Sequence, residues 1–325
     1  MTEAERTIGS TVVVALLAVL ERPWTWVLAL VGFLVRGGWL LVLAPIVVLP
    51  TAVGIANVVA PLLEDVAFGR RTQDVITVSF GSLLVVALWL VAGGLLAAAT
   101  EVETVRVTAG GLDGAGRAGP PRGARAIRGV LAVRLVSLAP LGLALAWASV
   151  RFVSVGYREL TNPSDVSSPA AVRILAGAPD AVLALVATWL FAEIVGGVAA
   201  RRVILRGEAI RAALGGSVRQ LRHAPGRLIG LACLSAGALL VVLAITSLGT
   251  STTWGALRAA LANGDASVGT SLILVLFVAL FAGSLVLVAL TAAWRSALWT
   301  VEVDPIVRPM PAGTFGGGDA TRSGD

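Results

Sequence analysis

Six stretches of this chain are too long and too apolar to be anything but membrane helices: Trp24 to Leu49, Val78 to Thr100, Gly129 to Val150, Pro179 to Ala200, Leu228 to Leu248 and Val268 to Ala293. A bilayer core about 30 Å thick is crossed by roughly 20 residues of α-helix. In hydrocarbon, every backbone polar group must find its partner inside the protein, which leaves helices and closed barrels as the only spanning structures. The runs are continuously apolar, without the alternation of period two that barrel strands require. Only 14% of the residues are charged and the mean hydropathy is +0.90, against roughly 25% charged in a soluble domain. The predicted fold class is therefore all-α, a polytopic transmembrane bundle of six spans arranged as three hairpins. A single integral domain covers residues 1–303, and the Pro- and Gly-rich tail 304–325 is expected to be disordered.

The arginines set the expected orientation. With six spans, the termini and the loops 101–128 and 201–227 share one side, which carries 17 arginines against 11 acids. The other side carries 6 against 7. Both termini are accordingly expected in the cytoplasm of a multi-pass cell (inner) membrane protein. All 25 basic residues are arginine, a usage typical of GC-rich bacterial genomes. The first apolar stretch, Thr11 to Leu20, lacks the flanks of a cleavable leader and is kept in the mature chain. A seven-span alternative makes Arg36-Gly37-Gly38 a turn between two helices, at the cost of burying Glu21 and Arg22.

Self-similarity organises the rest. Gly93-Gly94 and Gly196-Gly197 are equivalent at an offset of 103, which also carries residues 129–150 onto 26–47. Three repeats of about 1–106, 118–206 and 207–303 are expected, with Phe281 to Ser284 standing for the glycine pair in the third. Each repeat begins with an interfacial helix, Glu5 to Glu21 before Pro23 and Gly207 to His223 before Pro225, because proline favours a break there. The outer loops hold short helix candidates at Ala56 to Val66, Pro169 to Gly177 and Thr253 to Asn263, the last with Ser251 and Thr252 as caps. The segments AVLERPWTWVLALVGFL and RQLRHAPGRLIGLACLS, each a helix followed by a span, resemble repeat starts in the membrane domains attached to bacterial glycerophosphodiester phosphodiesterases and in related six-span inner-membrane proteins. That resemblance implies a membrane domain without a catalytic residue of its own, since the phosphodiesterase of such enzymes is a separate soluble barrel.

Soluble chemistry finds little footing. A lone Cys233 permits no disulfide framework, and a lone His223 permits no paired-histidine metal site. Thr108 to Arg125 is Gly-rich but lacks the Lys-Ser/Thr of a phosphate loop, so it reads as a linker. No cofactor, no nucleic acid and no enzymatic activity are expected. The expected partner is the lipid bilayer, with Arg201, Arg202, Arg206, Arg211, Arg219, Arg222 and Arg227 facing anionic headgroups at about 1 kcal/mol per charge.

What remains is charge inside the spans: Arg36 in the first, Glu193 in the fourth and Arg134 in the third. An arginine at the bilayer centre costs about 2.5 to 3.5 kcal/mol on insertion scales, so it calls for a partner or a wet cavity. Arg36 lies about 18 Å and Glu193 about 12 Å from the inner edge at 1.5 Å per residue. Side chains lean toward the N-terminal end of their helix, so the two converge. An Arg36–Glu193 bridge is therefore expected, with Arg134 as a competitor for the glutamate. The repeat makes Ala139 the equivalent of Arg36 in the second copy, so the charge is an addition to the repeated unit. The leading functional expectation is a non-enzymatic scaffold or membrane-homeostasis component. The alternative is a transporter or lipid-binding permease built on Arg36 and Glu193.

Overall fold

The computed structural model describes residues 7–47, 68–69, 72–112, 123–165, 167–264 and 267–303. Among these there is no strand, and six helices are long and apolar enough to cross a membrane. The helices are α1 (Ile8–Leu20), α2 (Trp24–Phe33), α3 (Trp39–Leu43), α4 (Thr72–Leu112), α5 (Ala124–Thr161), α6 (Ala170–Gly177), α7 (Pro179–Arg206), α8 (Ile210–His223), α9 (Pro225–Ala262) and α10 (Val268–Val303). A widened π-type turn, Leu34–Gly38, joins α2 to α3, so the first span is one helix with a break in it. At 13 residues α1 is too short to cross, and the continuous helix over Thr11 to Val35 that the seven-span alternative requires is broken at residues 21–23 into α1 and α2. The short helix expected at Ala56 to Val66, the tail 304–325 and most of the Gly-rich linker lie outside the described residues.

Packing follows chain order in a ring. The hairpin partners α2 and α4, α5 and α7, and α9 and α10 lie against each other. Then α5 also packs on α4, α9 on α7, and α2 on α10, which closes the circle, while α4, α7 and α10 touch one another at its centre. The two short helices sit at one end of the bundle, called basal here, where the chain also reaches Val303. Helix α1 packs on α10 and α8 on α7.

Hydrogen bonds fix these joints. Trp26 Nε1 donates to the Val19 carbonyl at 2.9 Å and Arg22 Nη1 to that of Val107 at 2.6 Å. Arg227 holds both oxygens of Glu302 at 2.8 Å, a bidentate geometry that fixes direction as well as distance.

Two expected boundaries move. The segment Thr253 to Asn263 is not a separate helix: α9 runs unbroken to Ala262. The Ser251 and Thr252 hydroxyls donate backward to Leu248 instead of capping a new start, the local bond that Ser and Thr make inside a helix. Likewise α4 continues twelve residues past Thr100, because Val102, Val105 and Ala109 keep a buried apolar stripe at helical spacing.

The core is concentrated toward the basal end. Ala98, Val102, Val105, Val130, Val133, Ala199, Val203 and Ile204 form one buried cluster, and Ala15, Val19, Leu231, Ala293, Ala297 and Leu298 form another. Toward the distal end the same helices show large apolar side chains to their surroundings, among them Leu83, Leu143, Leu183, Leu240 and Leu272. This is what a membrane face presents.

Candidate functional site

The widened turn at Leu34–Gly38 is where the first span departs from a regular helix, and it is where Arg36 sits. Gly37 has φ +99°, a backbone state open to glycine and costly for a residue with a Cβ. Such turns inside helices occur often at functional sites. From this turn Arg36 reaches the Ala97 carbonyl at 3.4 Å and ion-pairs through Nη2 with Glu101 Oε2. Its partner is thus Glu101 on α4, and not the expected Glu193.

Glu101 is the hub of the site. Arg134 on α5 holds it twice, Nη2 to Oε1 at 2.5 Å and Nε to Oε2 at 3.2 Å. Arg201 on α7 pairs with Oε1 through Nη1 and donates from Nη2 to the hydroxyl of Ser296 at 2.9 Å. One carboxylate therefore ties together α4, α5, α7 and the break in the first span. Glu193 belongs to a second pair. Arg295 on α10 binds it bidentately, Nη2 to Oε2 at 2.8 Å and Nε to Oε1 at 3.2 Å. Both carboxylates lie within helices long and apolar enough to cross a membrane: Glu101 is about 16 Å and Glu193 about 20 Å from the basal ends of α4 and α7 at 1.5 Å per residue.

Close helix approach makes this network possible. A Cβ at Gly196 would fall 2.5 Å from Ser137 Oγ and 3.2 Å from Arg134 Nη1, so α5 and α7 meet at a separation that only glycine allows. One residue on, Gly197 lies against the ring of Trp299, which is itself buried. Trp299 therefore serves the interior of the bundle. The contact also registers the third hairpin: Arg295, Ser296 and Trp299 stand beside Glu193, Arg201 and Gly197. Phe281 to Ser284, expected at this level, lie farther out, where Ser284 and Val288 face Pro45 and Thr250.

These charged residues line one open cavity of about 590 Å³ between α2, α4, α5, α7 and α10. Arg36, Arg134, Arg201, Arg295, Glu101 and Glu193 all reach it, together with Trp89, Trp189 and Trp299. Four guanidinium groups against two carboxylates leave an excess of two positive charges. The groups differ in access. Glu101 and Arg201 are 4% and 3% exposed, and form the buried base; Arg36 is 45% exposed, with Arg134 and Arg295 at 19% and 20%.

All three residues expected at an in-membrane site, Arg36, Glu193 and Arg134, are thus brought to one cavity, in different pairs. Glu101, Arg201 and Arg295 were missed because each lies within two residues of the end of an apolar run, where a charge reads as a loop. A signal was available: Val102, Val105 and Ala109 continue the helical stripe past Glu101.

The basic segment 201–227 divides in the same way. Of its seven arginines, Arg201 is buried in the cavity base. Arg202 and Arg206 pair with Glu208, and Arg227 with Glu302. Arg211, Arg219 and Arg222 are exposed on α8. Four of the seven arginines expected at headgroups are thus folded onto the chain's own carboxylates. His223 and Cys233 are both exposed and stand outside the cavity, and among the described residues no three His, Cys, Asp or Glu side chains are grouped to hold a metal.

No protein-family profile, no curated protein and no solved structure matches this chain.

Proposed function

We propose that this protein binds an anion within the membrane and acts as a permease or carrier for it, in a cell (inner) membrane with the basal end and both termini in the cytoplasm. The observation that carries the reading is the excess of two positive charges around an open cavity between helices apolar enough to span a membrane. Burying charge without a counter-charge is costly in a bilayer, and an anion in the cavity offsets that cost. Cavities of this volume, mostly apolar with a few convergent polar groups, are the usual form of small-molecule sites. The arginine excess on the basal side supports the orientation, and Arg211, Arg219 and Arg222 on α8 are placed to meet anionic headgroups there. The resemblance to phosphodiesterase-associated membrane domains belongs to the same proposal.

A second reading, a scaffold or membrane-homeostasis component, draws on the tight packing of the basal half. The two separate cleanly. Trp89, Trp189 and Trp299 line the cavity, so intrinsic fluorescence of the purified protein reports its occupancy. Titration with inorganic phosphate and with simple organic phosphates is expected to give a saturable change that Arg36→Gln weakens about tenfold or more, the scale of one lost charge-assisted hydrogen bond. A flat titration with all of them favours the scaffold.

A further inference from the structure

The cavity lining has a charged part and an apolar part. In the charged part, each accessible arginine spends part of its fork on a glutamate and keeps at least one nitrogen over. Arg134 and Arg295 use Nε and Nη2 on their carboxylates, and Arg36 uses Nη2 alone. The Nη1 atoms of all three have no acceptor among the described residues. Guanidinium groups presented in this way match the oxygens of a phosphate or carboxylate, and Glu101 and Glu193 hold the forks in position.

The rest of the lining is greasy. Trp89, Leu90, Leu135 and Leu138 line the cavity and are also exposed. They stand on neighbouring helices, α4 and α5, both long and apolar enough to cross a membrane. A passage for a hydrated ion needs polar groups along it, because stripping water from an ion costs many kcal/mol. An apolar mouth suits a molecule that carries its own hydrocarbon.

Resting on the anion-binding reading, we infer that the ligand is a membrane lipid with an anionic headgroup. Its oxyanion is held by Arg36, Arg134 and Arg295, and its chain leaves between α4 and α5 into the bilayer. The charge excess supplies affinity for the head, and the apolar mouth supplies the preference for a ligand that carries a hydrocarbon chain.

The test uses the full chain in phosphatidylcholine vesicles with and without phosphatidylglycerol, native mass spectrometry to read retained lipid, and calorimetric titration with free glycerol phosphate. Phosphatidylglycerol is expected to be retained over phosphatidylcholine. Arg36→Gln should reduce retention about tenfold or more. Leu138→Trp, which adds bulk at the mouth and keeps all three arginines, should abolish lipid retention while glycerol phosphate still binds. If glycerol phosphate binds but phosphatidylglycerol is not preferred, or Leu138→Trp leaves retention unchanged, the lipid inference is overturned and the anion-binding reading stands. If neither ligand binds the folded wild-type protein, both fall.

Discussion

The distal halves of these helices are the more apolar, yet it is the basal halves that are packed. In α4 the segment from Ala97 to Ala109 buries Ala97, Ala98, Val102, Val105 and Ala109, whereas Leu83, Leu84, Leu88 and Leu90 one half-length away are exposed. Helices α7 and α10 repeat the contrast. Residues 192–204 read AEIVGGVAARRVI and residues 288–303 read VALTAAWRSALWTVEV, while 183–191 and 272–287 are rich in Leu, Phe and Val. Small side chains let backbones approach, and lipid drives no association of large apolar ones. The difference teaches that side-chain size, not hydropathy, marks where this bundle closes. The charges follow the same division: the arginine–glutamate network lies where helices touch.

The sharpest break of that comparison removes a charge from each half. Glu101→Gln takes the shared carboxylate from three arginines in the packed half. Breaking a buried ion pair on one side costs about 3 to 5 kcal/mol, so a large fall in thermal midpoint is expected by differential scanning fluorimetry in detergent. In the distal half, Arg151 Nε meets Asp180 Oδ2 at 3.2 Å with the two side chains 41% and 46% exposed. Exposed pairs contribute little because water screens them, so Asp180→Asn should shift the midpoint little. Equal losses at the two positions would erase the proposed contrast.

Volume gives the next largest effect. Gly196→Val drives methyl groups into Ser137 and Arg134, and overpacking of this kind costs about 1 to 3 kcal/mol. At Gly81, on the distal part of α4, a Cβ meets nothing within 4 Å. Gly81→Ala is expected to cost nothing and to gain up to about 1 kcal/mol from helix propensity. The same midpoint measurement reads both, and a destabilising Gly81→Ala would show that the distal half is packed after all.

The smallest effect concerns the distal loop before α6. Asp165 accepts from the hydroxyls of Ser168 and Ser167 and from the Ser167 backbone N–H at 2.8 Å. These bonds favour the ionised carboxylate and push its pKa down to about 2 from 3.8. A depressed acid stabilises the fold above its unfolded pKa, so the contribution is complete above about pH 4 and is lost as pH falls toward 2. Limited proteolysis at the loop should rise across that window in the wild type and stay level in Asp165→Asn.

Much of this architecture was legible in the residues. A chain that buries its backbone in hydrocarbon has only internal hydrogen bonds to make, so six long apolar runs without period-two alternation dictate an all-helical multi-span protein. Arg36 stood out for the same reason: a guanidinium inside such a run demands compensation wherever it points. Its partner was decided only by the tertiary structure. Glu101, Arg201 and Arg295 look like loop charges while the end of a span is read at the first ionised residue, but a charge that faces other helices need not end a helix. Arg36 meets Glu101 instead of Glu193 because a left-handed Gly37 widens the turn beneath it and the α5–α7 contact at Gly196 brings Arg134 and Arg201 to the same carboxylate. Which charges pair, and that four arginines share a cavity with two glutamates, depend on distances between helices far apart in the chain, and no single run of sequence contains them.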